Sequence, residues 1–312
     1  MSCIKEELPI SAHLPGDIKS DQVEMGPNYN TQVFYNLKHN HSVSENYETE
    51  WDIAFECSDS GSHVILNSST FCKVYKTTIT NFNDSISLTG ISLEDWLYDV
   101  PSGNLDSTAL VDYNNGNIYI IDMGVSVSAG GNPRGYKKIL IENISNNQYQ
   151  IRYANLDGSL DVTKTITKND EINLIAYSFI TNSTVEVFPN KNNWDLMFTA
   201  YTHIFNVNGT ITPYRVAGVL INRNNTSVAE DTIHDFNEIN YDLVIDNISF
   251  IYNKNIDVIG YDWKPYNGTF TIRENLNYII KTNSGLYFKL RFIDFYSDNG
   301  IKGSPKFEFQ KL

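Results

Sequence analysis

The sequence predicts an all-β fold of antiparallel, sandwich-like sheets, formed by two related β-rich units in tandem. Three observations carry that expectation. The chain holds 20 Tyr and 16 Phe in 312 residues, and aromatic side chains fit a pleated, half-buried surface. Apolar residues recur with a period of two: Phe288, Leu290 and Phe292 alternate with Tyr287, Lys289 and Arg291, as Tyr149, Ile151 and Tyr153 do with Gln150 and Arg152. That is the pattern of a strand with one buried face. Turn dipeptides separate such runs, at Asn115-Gly116, Asp157-Gly158, Asn208-Gly209, Asn267-Gly268 and Asn299-Gly300, where positive φ suits tight hairpins. Leu93 to Tyr98 is the one short helical turn expected.

The tandem organisation rests on features that recur in the same order. Trp51-Asp52-Ile53-Ala54-Phe55 is echoed by Trp194-Asp195-Leu196-Met197-Phe198. Upstream lie Val33-Phe34-Tyr35-Asn36-Leu37 and Ile175-Ala176-Tyr177-Ser178-Phe179. Downstream, an apolar pair followed by Asn appears as Ile65-Leu66-Asn67 and Leu220-Ile221-Asn222. A second Trp follows in each copy, Trp96 and Trp263, then an Ile-rich strand at Ile118 to Ile121 and at Tyr278 to Ile280. Each copy closes on a strand after glycine, Gly135 to Leu140 and Gly285 to Leu290. The expected organisation is a tether at 1–24, a first unit at 25–158, a connector at 159–169 and a second unit at 170–312.

Composition narrows the classes of function. With 41% hydrophobic residues the chain can bury a core, and its net charge of −14 opposes binding to phosphate backbones or anionic headgroups. No run of about 18 apolar residues occurs, so no membrane-spanning helix is expected. Cys3 follows a small residue and precedes Ile4-Lys5-Glu6-Glu7, which looks like the mature end of a bacterial lipoprotein; the alternative is an ordinary exposed thiol. Cys57 and Cys72 lie in neighbouring candidate strands, where they form a disulfide in an oxidising compartment or sit as two small buried thiols.

The repeated Trp-Asp pairs invite an acid–base reading. The structural alternative is the stronger one: the Trp fills core and the Asp faces out or caps a turn. His39 and His41 are two residues apart, which suits chelation on a strand but not at a hairpin tip, so no metal site is assigned. His63 and His203 each follow a Trp-Asp motif, and two imidazoles on facing loops is one way to clamp a haem iron. Met123 and Met197 are candidate thioether partners, against the usual packing role of a core Met. Asn155 to Asp161 lacks the distal acid of a calcium loop, and the glycines from Gly130 to Gly135 lack a following helix that would bind phosphate. No nucleophile elbow, metalloprotease His pair or Cys-His signature is present, and no catalytic residue is assigned.

The closing stretch from Gly285 to Tyr296, with Gly300 and Lys302-Gly303-Ser304-Pro305-Lys306-Phe307-Glu308-Phe309, resembles the final hairpin of the HmuY family. Trp194 to Phe198 is similar to that family's Trp-Asp-hydrophobic strand, and Trp51 to Phe55 matches it again. The resemblance implies an antiparallel β protein, lipid-anchored and outward-facing at the outer membrane of Bacteroidetes and relatives, where such lipoproteins carry a charged run after the lipidated Cys. It also implies haem held between loops by axial ligands. The leading expectation is therefore a non-enzymatic surface lipoprotein that binds haem or a related porphyrin and hands it to an outer-membrane receptor. The alternative is a surface interaction protein that has lost haem binding and serves as a receptor-associated subunit or a glycan- or protein-binding module.

Overall fold

A computed structural model describes residues 14–127, 130–145, 147–246 and 248–312. Two five-stranded sheets lie outermost. The first runs Val162–Thr167, Gln148–Ala154, Tyr136–Ser145, Ile118–Asp122, Lys73–Lys76, and the second runs Lys19–Gln22, Lys302–Lys311, Tyr287–Tyr296, Asn277–Lys281, Ser227–Asp231. Between them sit two four-stranded sheets. One is Ser183–Val185, Leu174–Ser178, Ile53–Glu56, Val64–Leu66; the other is Thr210–Ile221, Leu196–Val207, Thr31–Asn36, His41–Tyr47. All paired strands are antiparallel.

The alternation of side chains along the inner strands stacks these sheets into four layers. Ile53 and Phe55 join one core with Tyr119, Ile139, Ile151 and Tyr177 of the first outer sheet and its neighbour. Val33, Tyr35, Leu196 and Phe198 join another with Tyr278, Leu290, Phe307 and Phe309. The residues in between, Phe34 on one inner sheet and Ala54, Ile65 and Ala176 on the other, meet Trp51 and Trp194 in a third core. Successive residues of a strand point to opposite faces, so an inner strand buried on both faces carries an unbroken apolar run. Val33-Phe34-Tyr35 is such a run, buried throughout.

The inner sheets are assembled by exchange. Thr31–Asn36 lies in the first repeat, yet it pairs with Leu196–Phe198 of the second. Leu174–Ser178 lies in the second repeat and pairs with Ile53–Glu56 of the first. The repeated motifs lock this exchange identically in both halves. Asp52 donates its N–H to the Tyr177 carbonyl (2.9 Å) and accepts the Phe179 N–H on Oδ2 (2.7 Å). Asp195 does the same with Tyr35 (2.8 Å) and Leu37 (2.8 Å). Asn67 bonds the carbonyls of Glu48 and Trp51, and Asn222 those of Lys191 and Trp194.

Several expectations need correction. The aspartates do not face out: Asp52 and Asp195 are buried, because each satisfies backbone groups of a strand from the other repeat. The expected connector contains Val162–Thr167, an edge strand of the first outer sheet. The expected tether contains Lys19–Gln22, whose alternating backbone groups complete the edge beside Lys302–Lys311. Lys289, expected on a solvent face, is buried because the 232–246 segment covers that face, and its Nζ donates to the carbonyls of Phe236 (2.6 Å) and Ile239 (2.8 Å). Lys138, on the corresponding strand of the first outer sheet, donates to Asp84 O (2.8 Å) under a similar cover. The short turn at Leu93–Asp95 is present as expected, and a single six-residue α-helix, Tyr241–Asp246, is described. No described helix is long and apolar enough to cross a membrane.

Candidate ligand-binding surface

His203 lies on the long strand Leu196–Val207, which pairs along its whole length with Thr210–Ile221. Only Leu196–Phe198 of that strand also pairs with Thr31–Asn36; Thr199 to Thr202 stay buried against the Ser68–Ser69 segment, and from His203 onward the strand projects with its partner as a two-stranded ribbon. The Asn208-Gly209 turn closes it, with φ of +53° and +85°, the positive values that a tight hairpin demands. The ribbon carries aromatic side chains on the His203 face. The imidazole meets Phe205 edge-on at 4.7 Å between ring centroids, and Tyr261 at 5.0 Å. Tyr214 extends the group through Phe205.

The neutral form of the imidazole is favoured by burial. Burial pushes its pKa below the usual histidine value, while Asp257 and Asp262 act in the other direction. Its Nδ1 is buried and has no hydrogen-bond partner among the described residues. An imidazole without a strong partner, backed by rings, suits metal or flat-ring chemistry better than a structural tie.

The other candidates fall elsewhere. His63 closes the base of the turn between Ile53–Glu56 and Val64–Leu66, with Nδ1 2.5 Å from Glu56 Oε2 and Nε2 3.4 Å from Asp106 Oδ1. Burial raises the Glu56 pKa, but hydrogen bonds from Ser58 and His63 outweigh it and hold the carboxyl below its ordinary value. No described contact joins His63 to His203. Met197 shares the His203 face but stands six residues away, about 20 Å at the rise of a strand, too far to complete the same axial pair. Met123 is 3% exposed, in the core of the other sandwich. His39 and His41 are exposed, with ring centroids 6.0 Å apart.

Of the two readings of Cys57 and Cys72, disulfide or buried thiols, the structure has the second: both are buried free thiols. The antiparallel pairing of Ile53–Glu56 with Val64–Leu66 explains this, since Cys57 enters the turn at one end of the hairpin and Cys72 follows its opposite end. Cys3, the candidate lipidation site, lies outside the described residues. Sequence reasoning missed the ribbon. Its alternation is legible in Tyr201, His203 and Phe205, but nothing local says that the neighbouring strand stops early.

The family model of the HmuY protein matches this chain twice, over residues 28–176 and 170–309. Two tandem matches are what a duplicated unit produces, and the chain belongs to the HmuY family. Among solved structures, it is similar to apo PinO from Porphyromonas gingivitis, at 9% identity and a TM-score of 0.30, with 95% of this chain and 97% of that one covered. The apo HmuY analog (TFO) of Tannerella forsythia is 10% identical with a TM-score of 0.28, covering 97% and 99%. A putative HmuY_like heme binding protein from Bacteroides vulgatus is 10% identical with a TM-score of 0.24, covering 94% and 90%. No curated protein matches by sequence.

Proposed function

We propose that this chain is a non-catalytic surface lipoprotein, anchored through Cys3 at the outer membrane, that binds haem or a related porphyrin on the ribbon and passes it to a receptor. The observation that carries the reading is the imidazole of His203, whose Nδ1 has no partner among the described residues, packed against Phe205 and Tyr261, in a chain of the HmuY family. An aromatic wall favours a flat, apolar macrocycle by stacking, and a neutral imidazole is an iron ligand. His203 would hold the iron, and the bound group would supply the ligand field and colour by which it is detected. No second imidazole or thioether contacts His203 among the described residues, so the fit is to one protein ligand.

Haemin titration of the purified chain tests this. The expected result is a saturable Soret band with the high-spin features of a single imidazole, lost in His203→Ala and kept in His63→Ala. A broad, unsaturable rise, or a band indifferent to His203→Ala, overturns it.

A second reading, a protein-binding module without haem, is favoured by exposed apolar side chains at the ribbon end: Val207 at 52%, Ile211 at 63% and Tyr214 at 61%. Unsaturable haemin binding in the titration is the outcome that favours this reading over the first.

A further inference from the structure

The outward face of the first outer sheet carries a separate group of aromatic side chains, and strand register places them. Lys73 stands opposite Asp122, and Asp122 opposite Tyr136. Val74 and Leu97 exchange backbone hydrogen bonds of 2.9 and 2.8 Å in an antiparallel bridge, which sets Tyr98 beside Lys73 and Trp96 beside Tyr75. Val74 and Ile121 point into the core, and successive residues of a strand alternate faces. Tyr98, Lys73, Asp122 and Tyr136 therefore form one row on the outer face, with Trp96 and Tyr75 in the next. The Lys73 ammonium faces the Trp96 ring at 5.2 Å from its centroid, and that ring stands 6.1 Å from the Tyr75 ring and 6.2 Å from that of Tyr136. Lys73 Nζ is 3.5 Å from Asp122 Oδ2, while Asp122 Oδ1 accepts the Gly124 N–H at 2.9 Å. Among the described residues the ammonium has no side-chain oxygen partner besides Asp122. The group reaches solvent: Tyr136 is 36% exposed, Trp96 and Tyr75 are half-buried, and the side chains of Lys73 and Asp122 are 17% and 14% exposed.

The duplication shows that the scaffold does not require this open face. In the second outer sheet Val228 and Asn253 make the same bridge, and Ser227, Lys281 and Tyr287 hold the register places of Lys73, Asp122 and Tyr136. There Ala229 stands where the first repeat has Tyr75, and it is buried in a cluster with Val244, Tyr241, Phe250 and Tyr252 of the covering segment. The second repeat thus closes the face with its own chain. The first leaves it open and sets a carboxylate–ammonium pair among the rings.

We propose that this face binds a neutral glycan, one pyranose stacking its C–H face on the aromatic group of Trp96 and Tyr136 while its hydroxyls bond the Lys73 ammonium and the Asp122 carboxylate. The charges argue for an uncharged ligand. A cation would meet Lys73, which already faces the indole, and an anion would meet Asp122. Hydroxyl groups both donate and accept, so adjacent sugar hydroxyls satisfy the pair from one side. The rings offer their electron-rich faces to polarised C–H groups. A protein partner fits less well, because the centres of protein interfaces are depleted of charged residues. The site shares no residue with the His203 ribbon and does not depend on the porphyrin reading.

Calorimetric titration of the full chain with cellohexaose, maltohexaose and mannohexaose tests this. The expected result is saturable binding of at least one of the three, accompanied by a shift in tryptophan emission. Trp51, Trp194 and Trp263 are 5% exposed or less, so the shift belongs to Trp96 and disappears in Trp96→Phe, which retains binding. Trp96→Ala and Lys73→Met are each expected to weaken the bound glycan about tenfold, through the lost stacking and the lost charged hydrogen bond. Tyr136→Ala, at an exposed position, is expected to weaken it several-fold and serves if either of those variants fails to fold. No saturable heat with any of the three glycans, or affinity unchanged in the folded variants, overturns the proposal. His203→Ala leaves glycan binding unchanged and Trp96→Ala leaves the haemin titration unchanged, so the two outcomes are separate.

Discussion

Asp52 and Asp195 occupy equivalent places in the two repeats, each accepting a backbone N–H from an exchanged strand, yet their electrostatics differ. Asp52 is paired with Arg134 at 2.8 Å, and burial raises its pKa against that guanidinium. No cation pairs with Asp195 among the described residues, and burial pushes its pKa from 3.8 up to about 6, with the Leu37 N–H opposing. Between those two values the folded state binds the proton that the unfolded state has released. Stability from this group is therefore full below about 3.8 and is lost as pH rises through about 6. Urea denaturation from pH 3.5 to 7 should show that decline in the native sequence and a flatter curve in Asp195→Asn, which keeps an acceptor for Leu37. An unchanged slope would count against the assignment. Asp52→Ala strands the Arg134 guanidinium, whose side chain is 7% exposed, and should cost ~3–5 kcal/mol in the same measurement. A loss below 1 kcal/mol would mean that the pair contributes little.

At the scale of elements, the exchanged strands define what each repeat lacks. A fragment of residues 170–312 would hold the long ribbon strands but not Thr31–Asn36 and His41–Tyr47, which complete their sheet. Tyr35 also packs edge-on against Phe307 at 5.2 Å and Phe198 at 6.2 Å, so the same loss opens a core. The fragment alone is expected to show no cooperative thermal transition and little near-ultraviolet dichroism. A sharp transition in the fragment would show that the exchange is dispensable. The ribbon is the opposite case. Residues beyond Ala200 have no inner-sheet neighbour other than their hairpin partner, so His203→Ala should leave the midpoint of unfolding nearly unchanged.

For the molecule as a whole, three cores are stacked through two shared inner sheets. The central core, with Phe34 against Trp194 at 5.0 Å, cannot be opened without exposing strands that belong to both sandwiches. Calorimetry should therefore record one unfolding transition for the full chain, its calorimetric and van't Hoff enthalpies in agreement. Two resolved transitions would indicate that each sandwich folds on its own despite the exchange.

What the sequence determined by itself is local or repeated in order. Period two, turn chemistry and the ordered Trp-Asp and apolar-Asn features gave the all-β class, the duplication and the family, because each is written in a few adjacent residues and then written again. The tertiary structure alone decided which strand pairs with which. Tyr35 and Tyr177 read alike in sequence, and only the fold shows that each serves the other repeat's aspartate. Burial of Lys289 depends on a covering segment some 50 residues upstream, and the separation of Cys57 from Cys72 depends on hairpin direction. The indole of Trp194 looks the same as that of Trp51 along the chain. Its lack of a hydrogen-bond partner among the described residues goes with one side chain, Leu174 where the first repeat has Gln32, the Trp51 acceptor, brought into the same core by long-range pairing.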